Sequence, residues 1–147
     1  MLARECDVPD ILPAAFYALS VQKWSCCADG GRSHLVLNPS DLRRLIAGRE
    51  GLQDFLIRCT IDPLGDALVC STCRPIIERF WRTKLSPNPS LPWGCWLLRD
   101  LRQMTPEGDV SQYYSSWCAD CAFQHHCVVW DRLRCLKDAI PRLFLLG

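Results

Sequence analysis

The chain's most specific chemical signal is two cysteine pairs, Cys70-Ser-Thr-Cys73 and Cys118-Ala-Asp-Cys121. Two intervening residues let both thiolates of a pair reach one metal ion. Two such pairs complete the tetrahedral four-thiolate shell of a structural zinc site, with sulfur at about 2.3 Å. The pairs stand 118 − 73 − 1 = 44 residues apart, farther than the roughly 12–20 residues of the commonest zinc motifs. A metal here would therefore pin a long excursion of chain. His125, four residues beyond Cys121, is the substitute ligand if Cys70 or Cys73 points away. The competing structural reading is four reduced thiols lining the core, since free cysteine is among the most buried residue types. Zinc, in a structural role, is the expected cofactor.

Both pairs fall where a helix should begin. Arg74-Pro75 opens a segment in which Ile76, Ile77, Phe80 and Trp81 recur at helical spacing. Cys118 and Cys121 open the last element, over about 116–139. Its stripe continues through Val129, Leu133, Leu136 and Ile140, and Pro141 is expected to close it. The positive end of a helix dipole favours thiolate, so two such ends facing each other call for something anionic between them.

The earlier chain supplies the rest of the scaffold. Residues 2–6 read as the end of a helix, and Val8-Pro9 breaks it. Asp10 then caps a helix over 11–23 with Leu12, Ala15, Phe16 and Leu19 on one face. Trp24 to Ser33 is a turn-rich linker, and its vicinal Cys26-Cys27 suits a loop thiol pair better than one tetrahedral site. Asn38 as N-cap, Pro39 at N1 and Asp41 at N3 open a short helix with Leu42, Leu45 and Ile46 inward and Gly48 as its stop. A further helix over about 50–60 points Leu52, Phe55, Leu56 and Cys59 inward, and Asp62-Pro63-Leu64-Gly65-Asp66 is a turn. Ser86 to Pro92 is a proline-rich linker, followed by a helix over about 93–104 with Trp93, Trp96, Leu97 and Leu101, ended by Thr105 to Asp109. The expected fold is mainly α, a single helical domain of six or seven helices.

Composition narrows the function classes. At 147 residues, with 49% apolar and 22% charged residues, the chain suits one globular domain. Its 17 basic and 16 acidic residues leave a net charge of +1, no field to gather polyanions. Arg132, Arg134, Lys137 and Arg142 form the basic cluster that a zinc-dependent nucleic-acid binder would use. Asp131 and Asp138 lie among them, as on a solvated helix face, so nucleic acid is not the expected partner. There is no secretory signal pattern and no run of the roughly 18 apolar residues that spans a bilayer, so an intracellular protein, cytoplasmic or nuclear, is expected. Eleven cysteines in that setting suggest metal ligands and core thiols rather than disulfides.

The order of several stretches resembles a known family. Leu2 to Tyr17, then Leu37-Asn-Pro-Ser-Asp-Leu42 with Gly48-Arg-Glu50, then Cys70-x-x-Cys73, Trp117-Cys-x-x-Cys121 and the closing Trp130 to Phe144 are similar to the C-terminal portion of fungal, mainly mushroom-type, BTB-domain proteins. There a BTB (POZ) fold precedes a helical, cysteine-containing region. The resemblance implies that residues 1–23 are a remnant of the last BTB helices and 24–147 the helical region. It implies protein partners, with most of the BTB dimer surface missing and the first helices left in need of another partner. No glycine-rich phosphate loop, Ser-His-Asp arrangement or paired carboxylates appear. A non-catalytic protein-interaction module is thus the expected function, ahead of a nucleic-acid binder and of a CxxC thiol redox protein, which needs a βαβ context.

Overall fold

The computed structural model describes residues 11–21, 37–86, 97–105 and 114–146. They form five α-helices and no strand: α1 Leu12–Ser20, α2 Pro39–Ile61, α3 Arg74–Lys84, α4 Leu97–Gln103 and α5 Ala119–Leu143. The mainly helical class holds, with fewer helices than the six or seven expected. Residues 2–6, Asp10, Cys26-Cys27, Trp93, Trp96 and most of the two later linkers lie outside the described residues.

The lower number comes chiefly from α2. The sequence suggests a stop at Gly48 and a new helix near residue 50, whereas one helix of 23 residues runs through both Gly48 and Gly51. Gly48 is there for space. A Cβ at this position would collide with the Cδ1–Cε1 edge of the Phe144 ring, which packs against the helix here. The N-terminus of α2 forms as its residues require. Asn38 accepts from the Asp41 N–H at 2.8 Å and donates its amide to the Asp41 carboxylate at 3.0 Å, a reciprocal cap. The inward face is Leu45, Gly48, Leu52, Phe55, Leu56 and Cys59. Leu42 and Ile46, expected inward, are 43% and 50% exposed. Ile46 follows Leu45 by one residue and so lies about 100° round the helix from it.

The 25-residue α5 is the central strut. Cys121, His125, Val129, Leu133, Leu136 and Ile140 form one buried stripe, against which α1, α2 and α4 pack. Pro141 does not end the helix. It sits in the last turn, where its missing N–H costs one i→i−4 bond and leaves little helix beyond it to disrupt, and the stop comes at Leu145 with φ of 54°. The Leu145 N–H donates to the Arg142 carbonyl and the Leu146 N–H to the Pro141 carbonyl, a Schellman closure whose left-handed residue is leucine rather than glycine. This closure turns Phe144 into the core, where it stacks on Phe16 at 5.7 Å. Thus α1, expected to need a partner from outside the chain, seats its fully buried Phe16 on α5's own end. Among the described residues, no helix is long and apolar enough to cross a membrane.

The two α2 glycines should respond oppositely to alanine. An exposed helical Gly→Ala change gains about 1 kcal/mol. Gly51→Ala meets only the mobile tip of Leu143, so its melting temperature should hold or rise. Gly48→Ala forces the Phe144 ring off the helix and should cost about 1–3 kcal/mol. A double-mutant cycle with Phe144→Leu should recover part of that loss. Equal melting temperatures for the two single variants would remove the packing role assigned to Gly48.

Candidate metal centre

The turn Asp62 to Asp66 carries the chain from α2 towards the first cysteine pair. Asp62 accepts from the Gly65 N–H at 3.0 Å, and Gly65 takes the left-handed conformation with φ of 51°, a geometry that aspartate and glycine favour. Leu64 is buried beneath the turn. Beyond it, the Arg74 guanidinium donates to the Ala67 carbonyl at 2.9 Å, tying the segment to the start of α3. Cys73 is the N-cap of α3 and Cys118 the N-cap of α5.

The two helix starts meet. The sulfurs of Cys70, Cys73, Cys118 and Cys121 all lie within 4.8 Å of one another, and Cys73 and Cys118 are 3.9 Å apart. A tetrahedron with bonds of about 2.3 Å has sulfur edges of about 3.8 Å, so a metal ion would draw the quartet in by roughly 1 Å at most. Cys73 and Cys121 are buried and Cys70 and Cys118 exposed, which places the site at the edge of the core, open to entry from solvent. Main-chain donors already surround the sulfurs. The Cys70 N–H points to Cys121 Sγ at 3.2 Å, the Cys73 N–H to Cys70 Sγ at 3.4 Å, and the Cys118 N–H to Cys73 Sγ at 3.5 Å. Such outer hydrogen bonds orient thiolate ligands and stabilise their charge.

Electrostatics divides the four thiols. The Cys73 N–H, with hydrogen bonds from the Cys73 and Cys121 thiols, brings Cys70 down to about 7. At Cys121 the Cys70 N–H pulls the same way, but burial and the three neighbouring thiols outweigh it and push the group up to about 12. Cys73 is likewise raised: the lowering by the Cys118 N–H is overcome by the Cys70 thiol, burial and the Cys118 thiol. Several anions cannot crowd this space unaided. A divalent cation supplies the missing positive charge, and its binding would release protons. The four cysteines can hold a metal ion, and the donor set matches a soft, tetrahedral one.

His125 stands outside the quartet. The sequence suggests a ligand held in reserve or a partly exposed helix residue; its exposure is 0%. It lies in an aromatic box made by Trp117, Phe80, Trp81 and Tyr114, with ring centroids 4.8 to 6.2 Å away. Neither ring nitrogen has a hydrogen-bond partner among the described residues, so its N–H is left with edge-to-face aromatic contacts. Burial, then the charge of His126, lowers it to about 4. This box went unread in the sequence, although Trp117 beside Cys118 and the shared register of Cys121, His125 and Val129 were signs of it. Cys59, the remaining buried thiol among the described residues, is raised to about 11 by burial and belongs to the core.

His125 also sets a pH dependence. Unfolded histidine titrates near 6.5 and the folded group near 4, so between these values the folded state binds fewer protons. The stability from keeping His125 neutral is complete above the unfolded value and is lost as pH falls from about 6.5 towards 4, on the order of 3 kcal/mol in full. His125→Phe should flatten that part of the stability profile. The cysteine quartet is common to both proteins, so their difference isolates the imidazole. A carbon resonance assigned to His125, by its loss in His125→Phe, that titrates near 6.5 in the folded protein would overturn this assignment.

No protein-family model matches this chain, and no curated protein or solved structure is detectably similar to it, so its role has to be read from the cysteine quartet and its surroundings.

Proposed function

We propose that the chain is a non-catalytic protein-interaction module whose second half is clamped by a structural zinc ion on Cys70, Cys73, Cys118 and Cys121. The convergence of four sulfurs within 4.8 Å carries this reading. Four thiolates fill a tetrahedral shell, whereas a catalytic zinc keeps one position open for water or substrate. His125, four residues beyond Cys121, is neutral and enclosed by aromatic rings. The sequence resemblance to the region that follows the BTB fold in fungal proteins would add protein partners and a cytoplasmic or nuclear setting to this reading. The nucleic-acid alternative is weaker, because Arg134 is paired with Asp131 and Arg132 reaches the Asp62 carbonyl at 3.3 Å. A thiol redox role draws on the exposed Cys70 with its lowered thiol, but two CxxC pairs folded together favour ligation over turnover.

Native mass spectrometry should find one zinc ion per chain. Cys73→Ser should lose the metal together with helicity, because structural zinc contributes on the order of 10 kcal/mol to folding. Cys135→Ser, at an exposed position on α5, should change neither. Cobalt put in place of zinc should show a tetrahedral thiolate spectrum that added azide does not shift. A shift would reveal an open position and sink the non-catalytic reading, and reduction of insulin by the metal-free protein would favour the redox one. For the partner, a biotin-ligase fusion of the wild type should label a set of proteins that Cys135→Ser retains and Cys73→Ser loses. Identical labelling by all three fusions would remove the clamp from the interaction.

A further inference from the structure

We propose that the groove where Arg102 of α4 and Lys137 of α5 flank the half-exposed ring of Trp130 is a docking site for an acidic linear segment of a partner protein. This rests on the interaction reading above and gives it a surface and a ligand chemistry. The groove encloses about 450 Å³, and its walls hold three cations, Arg99, Arg102 and Lys137, with no carboxylate among the described residues. Arg99 already donates to Asp100 at 3.1 Å. Arg102 and Lys137 form no ion pair among the described residues. A net charge of +1 for the whole chain means that this local concentration is a feature of the groove and not of the protein at large. Such a lining raises the local concentration of anionic groups.

The shape chooses among anions. Trp130, at 44% exposure, offers an apolar wall above the buried Leu133. A second hollow of about 300 Å³ shares Lys137 and is walled by Pro13, Tyr17, Leu98 and Ile140. The Tyr17 hydroxyl accepts from the Leu98 N–H at 3.1 Å, which joins α1 to α4 along this floor. A ligand lying through both hollows passes from a cationic stretch to an apolar one. An extended peptide with carboxylates followed by an apolar anchor fits that sequence of surfaces. A mononucleotide would use only the Trp130 end and leave the apolar hollow unfilled. Recognition by a pocketed apolar anchor, with charges setting orientation and on-rate, is a common division of labour.

A phage-displayed random peptide library, panned on the zinc-loaded 147-residue chain, tests this. Enriched peptides should combine Asp or Glu with a large apolar residue, quench Trp130 fluorescence, and bind more weakly as salt is raised. Arg102→Glu and Lys137→Glu, both at exposed positions, should each weaken the selected peptides about tenfold or more. Arg43→Glu, exposed on α2 away from the groove, should bind as the wild type does. Zinc content and melting temperature should be unchanged in all three variants, so a failure here is separable from a failure of the metal clamp. The proposal is overturned if no peptide is enriched, if the enriched peptides are neutral or basic, or if acidic peptides survive both charge reversals. Quenching of Trp130 by adenosine triphosphate that the acidic peptides do not compete away would also overturn it, in favour of a nucleotide.

Discussion

Two helices start at the same point in space, and the arrangement depends on what lies between them. Cys73 caps α3 and Cys118 caps α5, and neither side chain makes the usual capping hydrogen bond. Two positive dipole ends brought together repel unless negative charge sits at the junction. Helices elsewhere solve this with serine or aspartate at the cap, as Asn38 and Asp41 do for α2. Here sulfur takes that part, with main-chain N–H groups of Cys70, Cys73 and Cys118 already aimed at neighbouring thiols. A divalent cation with four thiolates carries a net negative charge, which suits this position better than four neutral thiols do.

Just behind this junction the core is aromatic. Phe80 and Trp81 on α3, Tyr114 and Trp117 ahead of α5, and His125 on it close a box of edge-to-face rings. The rings join side chains of α3 to His125 of α5. At the other end of α5 the constraint is different in kind. Phe144 lies on a strip of α2 that glycine leaves bare, and its contact with Phe16 binds α1 to the same place. The long helix is thus held at one end by polar ligands and at the other by close packing.

Much of this was legible in the chain because local signals and tertiary demand agreed. The stripe Val129, Leu133, Leu136 and Ile140 repeats at the helical period, and every member is buried. The cap of α2 and the cysteine pairs at helix starts are written within a few residues of sequence, and so is their clustering, since a pair of CxxC units has few other uses. Legibility failed where a residue answers to a distant neighbour. Gly48 reads as a helix stop, and only the ring of Phe144, nearly a hundred positions later, makes it an interior residue. Pro141 reads as a terminus because the Schellman turn around Leu145 carries no glycine to announce it. His125 reads as polar, and four rings from two other parts of the chain decide otherwise.

The separation of the two cysteine pairs has a consequence for the order in which the molecule can be made. Cys70 and Cys73 are synthesised 118 − 73 = 45 positions before Cys118, an interval of several seconds at about 5–20 residues per second. During that interval the first pair has half a ligand set. The α2 face that will meet α5 has no cover, because α5 does not yet exist. Both vacancies are filled by the same event, the arrival of α5, whose first turn carries the missing sulfurs and whose length carries the missing apolar stripe. Capture of a metal ion by the quartet would therefore coincide with core formation in one late step rather than precede or follow it. A chain stalled before residue 118 would present unpaired thiols and an uncovered apolar helix together, the combination that chaperones and proteases act on.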